Sequence, residues 1–155
     1  SDQIIHEKYV CTSLARHPTK PVFYAQSHGN CTLEFNARPP YKLNNHRRFE
    51  TKATKGGAAL VEQRTQGYYI GCQVNPSGSL LASGSLDGRA FVYSLDTCEL
   101  VRRVDAFVDL KPLEPCMDVK LSRMLTSEHP EYRQPGGRCL LAAASSTGLI
   151  RVFEF

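Results

Sequence analysis

Leu80-Leu81-Ala82-Ser83-Gly84-Ser85-Leu86-Asp87-Gly88-Arg89-Ala90-Phe91-Val92-Tyr93-Ser94 reads as two short apolar strands joined by a turn that closes on glycine. β-Branched and aromatic residues suit a pleated surface, and a tight turn commonly needs one residue with positive φ, which glycine adopts without steric cost. The same unit recurs on either side. Val22 to Gln26 precedes Ser27-His28-Gly29-Asn30 and Cys31 to Phe35, and Cys139 to Ala144 precedes Ser146-Thr147-Gly148 and Leu149 to Phe155. The turn glycines Gly29, Gly88 and Gly148 are 59 and 60 residues apart. A hairpin repeating at that interval is a repeat architecture, in which each unit buries its flat faces against its neighbours.

Working outward, each hairpin has a short strand before it: Val10 to Arg16, Tyr69 to Val74 and Cys116 to Leu121. Glu99 to Val104 follows the second hairpin as an outer strand with exposed charges. The first unit expands into a long polar stretch, Arg38 to Gln66, and the third carries an insertion from Met124 to Arg138. Without these insertions the unit is four-stranded and roughly 40–45 residues long, the period of a propeller blade. The fold expected is all-β, a partial β-propeller of about three blades. Residues 1–8 are assigned to the outer strand of a preceding blade, 9–66 to the first blade with its basic insertion, and 67–110 to the second. Residues 111–155 form the third, lacking its outer strand. Three blades fall short of a ring of roughly six to eight, so the expectation is part of a larger ring, completed by the same protein or by a second copy.

The motif Pro76-Ser77-Gly78-Ser79-Leu80 through Asp87-Gly88 to Tyr93-Ser94 resembles the WD-repeat family. Tyr93-Ser94, Phe153-Glu154 and Phe35-Asn36 stand where that family places Trp-Asp, and no Gly-His pair opens a unit. The resemblance implies a non-catalytic scaffold that offers propeller loops to other proteins. It also implies a nuclear setting beside RNA-processing machinery in preference to a cytoplasmic one.

Composition agrees with an ordinary folded domain: 155 residues, 41% hydrophobic and 22% charged, with a net charge of +4. No stretch approaches the ~20 apolar residues of a membrane span, and the first residues lack a signal-peptide pattern. The six cysteines are therefore read as reduced and mostly buried, and the Asn30-Cys31-Thr32 sequon as accidental.

Catalytic patterns fail individually. There is no Gly-Lys pair for a phosphate-cradling loop, no second His four residues after His6, and no Cys-x-x-Cys. Cys11 with His17 lacks an orienting third group. No catalytic, cofactor or metal residue is assigned. His28, Gly29, Asp87, Gly88, Thr147 and Gly148 are read as turn residues, with Asp87 bonding backbone amides.

Charge is distributed unevenly. Arg38, Lys42, Arg47, Arg48, Lys52 and Lys55 stand against Glu50 alone over residues 38–55, a local balance of +5 that leaves the remainder of the chain at −1. Such a segment suits RNA phosphates or acidic protein surfaces. The plain alternative is a solvated insertion that contacts nothing.

Overall fold

The computed structural model describes residues 10–55, 58–122 and 139–154. Residues 1–8 and the insertion from Met124 to Arg138, on which two of the sequence expectations fall, lie outside the described residues.

Thirteen strands and no helix are found among the described residues: β1 Cys11–Arg16, β2 Val22–Ser27, β3 Cys31–Asn36, β4 Leu43–Phe49, β5 Lys52–Lys55, β6 Ala58–Val61, β7 Cys72–Val74, β8 Leu80–Ser83, β9 Arg89–Ser94, β10 Leu100–Asp105, β11 Cys116–Leu121, β12 Leu140–Ser145 and β13 Ile150–Glu154. They form antiparallel sheets in simple sequential order: β1-β2-β3-β4, then β7-β8-β9-β10, then β11-β12-β13. β5 and β6 make a separate hairpin. The first strands of the three sheets stand side by side, β7 packing against both β1 and β11. These are blades of the propeller type, an all-β architecture as the repeat implies.

Why the middle unit is the most apolar follows from its position. In β9, Phe91 and Tyr93 point to one face and Ala90 and Val92 to the other, and all four are fully buried. Phe91 and Tyr93 join Cys72, Val74 and Leu81 against Tyr24 and Phe49 of the first unit. Ala90 and Val92 join Ala82 and Val104 against Val119, Leu121, Leu141 and Ala143 of the third. A sheet covered on both sides loses the apolar–polar alternation of a half-exposed strand and reads as a continuous apolar run.

Polar bonds stitch the blades together near their first strands. Thr12 Oγ1 donates to the Ile70 carbonyl at 3.0 Å, the Cys72 amide donates to Ser13 Oγ at 3.3 Å, and the Gly71 amide donates to the Met117 carbonyl at 2.7 Å. Ser85 and Cys116 form an antiparallel bridge, for which the backbone passes so close that a Cβ on Gly84 would stand 2.1 Å from the Cys116 carbonyl oxygen.

Several expectations are corrected. The long polar stretch from Arg38 to Gln66, read as an insertion, supplies β4, the outer strand of the first sheet, and the β5–β6 hairpin. Leu43-Asn44-Asn45-His46-Arg47-Arg48-Phe49 lacks an apolar alternation because an outer strand is mostly solvated. The second unit's first strand spans only Cys72–Val74, since the Gly71 amide is committed to the third sheet. In the first hairpin turn the left-handed residue is Asn30 (φ 63°), not Gly29; Gly88 (φ 78°) and Gly148 (φ 93°) hold that position in the others. Asparagine tolerates that region best after glycine. On the outer face of the first sheet Ala25, Cys31, Leu33 and Phe35 are buried.

A fully hydrogen-bonded polar chain runs through the seam between the first two sheets. Thr51 Oγ1 donates to the Tyr93 hydroxyl at 2.8 Å, which donates to Gln63 Oε1. Gln63 Nε2 donates to Ser83 Oγ at 2.7 Å, and Gln26 Oε1 accepts from Ser83 Oγ at 2.9 Å and Thr32 Oγ1 at 2.6 Å. No buried side-chain N or O among the described residues lacks a partner, the condition under which a buried polar network stabilises instead of costing free energy.

Candidate interaction surfaces

The antiparallel order gives the blades two ends. At one end lie the β2–β3, β8–β9 and β12–β13 turns together with the approaches to β1, β7 and β11. At the other lie the β1–β2, β3–β4, β7–β8 and β9–β10 turns. Each end collects side chains that are distant in sequence.

The first end holds the turn residues expected from sequence. Asp87 Oδ1 accepts from the Arg89 amide at 3.2 Å and its Oδ2 lies 3.0 Å from Arg89 Nη1, so the turn is closed by backbone and side chain alike. Thr147 Oγ1 donates to Glu114 Oε2 at 2.7 Å, and the Ser145 and Thr147 hydroxyls hold the Glu114 carboxyl below its usual range. The Gly29 amide donates to Ser27 Oγ at 2.9 Å. His28 donates from its amide to the Val10 carbonyl at 2.9 Å and from Nε2 to the Tyr68 carbonyl at 3.0 Å, and its ring centroid lies 6.3 Å from that of Tyr69.

Large apolar side chains gather at this end. Val10, Tyr68, Tyr69, Leu113, Leu149 and Ile150 are all exposed there, Tyr69 by 77%, among ten exposed large hydrophobics of the described residues. The other four, Leu14, Tyr41, Val101 and Val152, are scattered elsewhere, so the concentration belongs to one end. Sequence reasoning passed over Tyr68-Tyr69 because it assigned Tyr69 to a strand. The signal present was the Gly67 and Gly71 flanking the pair, which lifts it off the ladder.

The basic residues are separated by the fold. Arg38 and Lys42 are exposed in the β3–β4 turn, and Arg48 is exposed on β4 with Nη2 3.2 Å from Cys31 Sγ. Lys52 and Lys55 lie on β5. Arg47 is turned inward. Its Nε donates to Glu34 Oε2 at 3.1 Å, its Nη1 to the Asp96 carbonyl at 3.0 Å, and its Nη2 to the Leu95 carbonyl. Glu34 also accepts from Asn44 Nδ2 at 2.8 Å. One guanidinium thus ties the first sheet to the β9–β10 turn of the second.

His17 makes a parallel tie. Its Nδ1 accepts from the Thr19 and Lys20 amides at 3.1 and 2.9 Å, which places the ring proton on Nε2 for donation to the Gly78 carbonyl at 3.2 Å. It is buried and used structurally, while Cys11 is exposed at the far end of β1.

Arg38 meets partners the sequence did not group with it. Arg16 and Lys20, from the β1–β2 side, line one groove of about 530 Å³ with Arg38, over Pro21, Val22, Phe23 and Ala37. A linear reading missed Arg16 and Lys20 because only strand pairing brings residues 16–20 beside 37–38.

None of the six cysteines is joined in a disulfide; Cys31, Cys72, Cys116 and Cys139 are buried. Among the described residues no group of three or more His, Cys, Asp or Glu could hold a metal ion.

Compared with known proteins, the chain is 41% identical over 97 residues to WD repeat-containing protein 25 of Mus musculus, a match covering 63% of this chain and 16% of that relative. The match therefore takes in about one sixth of the relative's length. No protein-family model matches the chain.

Proposed function

We propose that this chain, built of propeller-type blades and 41% identical over 97 residues to a WD repeat-containing protein, serves as a non-catalytic scaffold whose blade ends dock other proteins. The observation that carries this reading is the exposed Tyr68-Tyr69 pair with Val10 and His28 at one end of the blades. Tyrosines supply large contact area at low cost in side-chain entropy, and they are enriched among residues that dominate interface energies. The frame behind them is rigid: Ile70, next to the pair, is fully buried, and His28 bonds the backbone on both sides.

The setting we propose is a nuclear RNA-processing assembly, supported by the sequence resemblance and by the exposed Arg38, Lys42 and Arg48. We further propose that the blades belong to a larger ring. Ile150 and Val152 on β13 are 66% and 63% exposed, in register with Ala144 and Ala142, an apolar face of the kind the second sheet buries against the third.

Affinity capture with the chain from nuclear extract, beside the Tyr68→Ser/Tyr69→Ser double variant, tests the docking reading. Loss of the captured proteins in the variant, with an unchanged unfolding midpoint, is expected. Capture that is indifferent to both tyrosines sinks the reading. Direct RNA contact is the second reading, favoured by exposed Lys42 and Arg48. Lys42→Glu/Arg48→Glu should then abolish ultraviolet crosslinking to RNA while leaving protein capture intact.

A further inference from the structure

We propose that the groove between the β1–β2 and β3–β4 turns binds a short acidic peptide segment carrying one apolar side chain. Among the described residues three cations line it, Arg16, Lys20 and Arg38, all exposed, and no carboxylate is among those lining it. Like charges gathered around one concavity repel one another, and an anionic segment relieves that repulsion as well as adding attraction. Its floor is apolar: Pro21, Val22, Phe23 and Ala37. Phe23 is held in place by stacking on Phe35, with ring centroids 5.2 Å apart and planes within 11°.

The turns that frame the groove are fixed. The Ala37 amide donates to the Pro21 carbonyl at 2.8 Å, tying one turn to the other, and the Lys20 amide is held by His17 Nδ1. Lys20 also borders the smaller groove of about 250 Å³ that Glu34 and Asp96 line, but Glu34 is engaged by Arg47 and Asn44, and among the described residues neither carboxylate forms an ion pair with Lys20. The cations therefore face outward into a preformed site.

Size and layout select the occupant. A volume near 530 Å³ accepts a few side chains, within the ordinary range of small-ligand sites, and not the face of a folded domain. An RNA-binding surface lays its cations along a strand and offers successive aromatic faces for stacking. Here three cations and Thr19 share one concavity with four apolar residues and a single aromatic ring, Phe23, which fits one apolar residue flanked by carboxylates. The inference is independent of the Tyr68-Tyr69 end: it concerns the opposite turns and fails or stands separately.

The test is fluorescence anisotropy with the 155-residue chain and a labelled peptide Asp-Glu-Asp-Leu-Asp-Glu-Asp at low salt. Its counterparts are the same peptide with Ser for Leu and an eight-nucleotide oligouridine. Saturable binding of the Leu peptide is expected, at least tenfold weaker in Arg16→Glu/Arg38→Glu, weaker again as salt rises, and severalfold weaker for the Ser peptide. All three cations are exposed, so these substitutions leave the fold intact, which circular dichroism verifies. No saturable binding of the Leu peptide, equal binding by the double variant, equal binding of the Ser peptide, or tighter binding of the oligouridine would each overturn the proposal.

Discussion

Arg47 and Glu34 stand 3.1 Å apart on neighbouring strands of the first sheet, and the same guanidinium reaches across the seam to two carbonyls of the second. Glu34 is nearly buried, its side chain only 7% exposed. Removing the cation leaves the carboxylate with its neutral Asn44 donor but no countercharge, and leaves two carbonyls short of a donor. Arg47→Ala should therefore cost about 2–3 kcal/mol, less than a fully buried pair because Arg47 keeps some contact with water. Arg47→Lys should recover only part, since a compact ammonium does not span the three acceptors that the planar guanidinium reaches with separate nitrogens. Urea denaturation of the three proteins measures both steps.

The Thr51–Tyr93–Gln63 chain predicts a coupled loss. Tyr93→Phe removes the donor to Gln63 Oε1 and the acceptor for Thr51 Oγ1, and should destabilise the chain by about 1–3 kcal/mol. Combined with Gln63→Leu, the two losses should not add; a coupling of about 1 kcal/mol or more is expected in the double-mutant cycle. Strict additivity would mean the network is not formed.

Glycines separate local strain from crowding. At Gly148, φ is 93° and nothing lies within 4 Å of an added Cβ, so Gly148→Ala should cost only the left-handed penalty of about 1–2 kcal/mol. At Gly84 the added Cβ meets the Cys116 backbone, which cannot rotate away. Gly84→Ala should cost more, of order 3 kcal/mol, by prising the third sheet off the second. Thermal melts that rank the two the other way would contradict the bridge at Ser85.

Alkaline pH should weaken the fold. Burial pushes the Cys72 thiol up to about 11 and that of Cys116 up to about 12, against an ordinary thiol value near 9. The unfolded chain therefore loses these protons first. Their contribution is complete below about pH 9 and is lost as pH climbs through 9 to 11 and 12. Tyr24 and Tyr93, also raised by burial, act in the same direction at higher pH. Urea midpoints should stay level from pH 7 to 8.5 and then fall, less steeply in Cys72→Ala/Cys116→Ala. In the native chain at pH 8, a disulfide reagent should modify exposed Cys11 well ahead of Cys72 and Cys116.

What could be read in advance was whatever depends on near neighbours in the chain. The hairpins at 22–35, 80–94 and 139–154 announce themselves because strand pattern and turn chemistry are local, and their recurrence implies stacking. β4 escaped that reading, since a solvated outer strand such as Asn44-Asn45-His46 carries no apolar alternation. Asn30 escaped it because Gly29 next to it was the more obvious left-handed residue.

The candidate sites divide in the same way. Six basic residues are neighbours in sequence, yet the strand alternation of β4 sends Arg47 into the seam and leaves Arg48 in water. Arg38 joins Arg16 and Lys20 only because β1 to β4 fold antiparallel and bring two turns to one end. The repeat, the strands and the blade class follow from residue type and spacing in this chain. Which charges are spent holding blades together, and which remain to meet a partner, is decided by contacts between residues tens of positions apart, and those exist only once the sheets have packed.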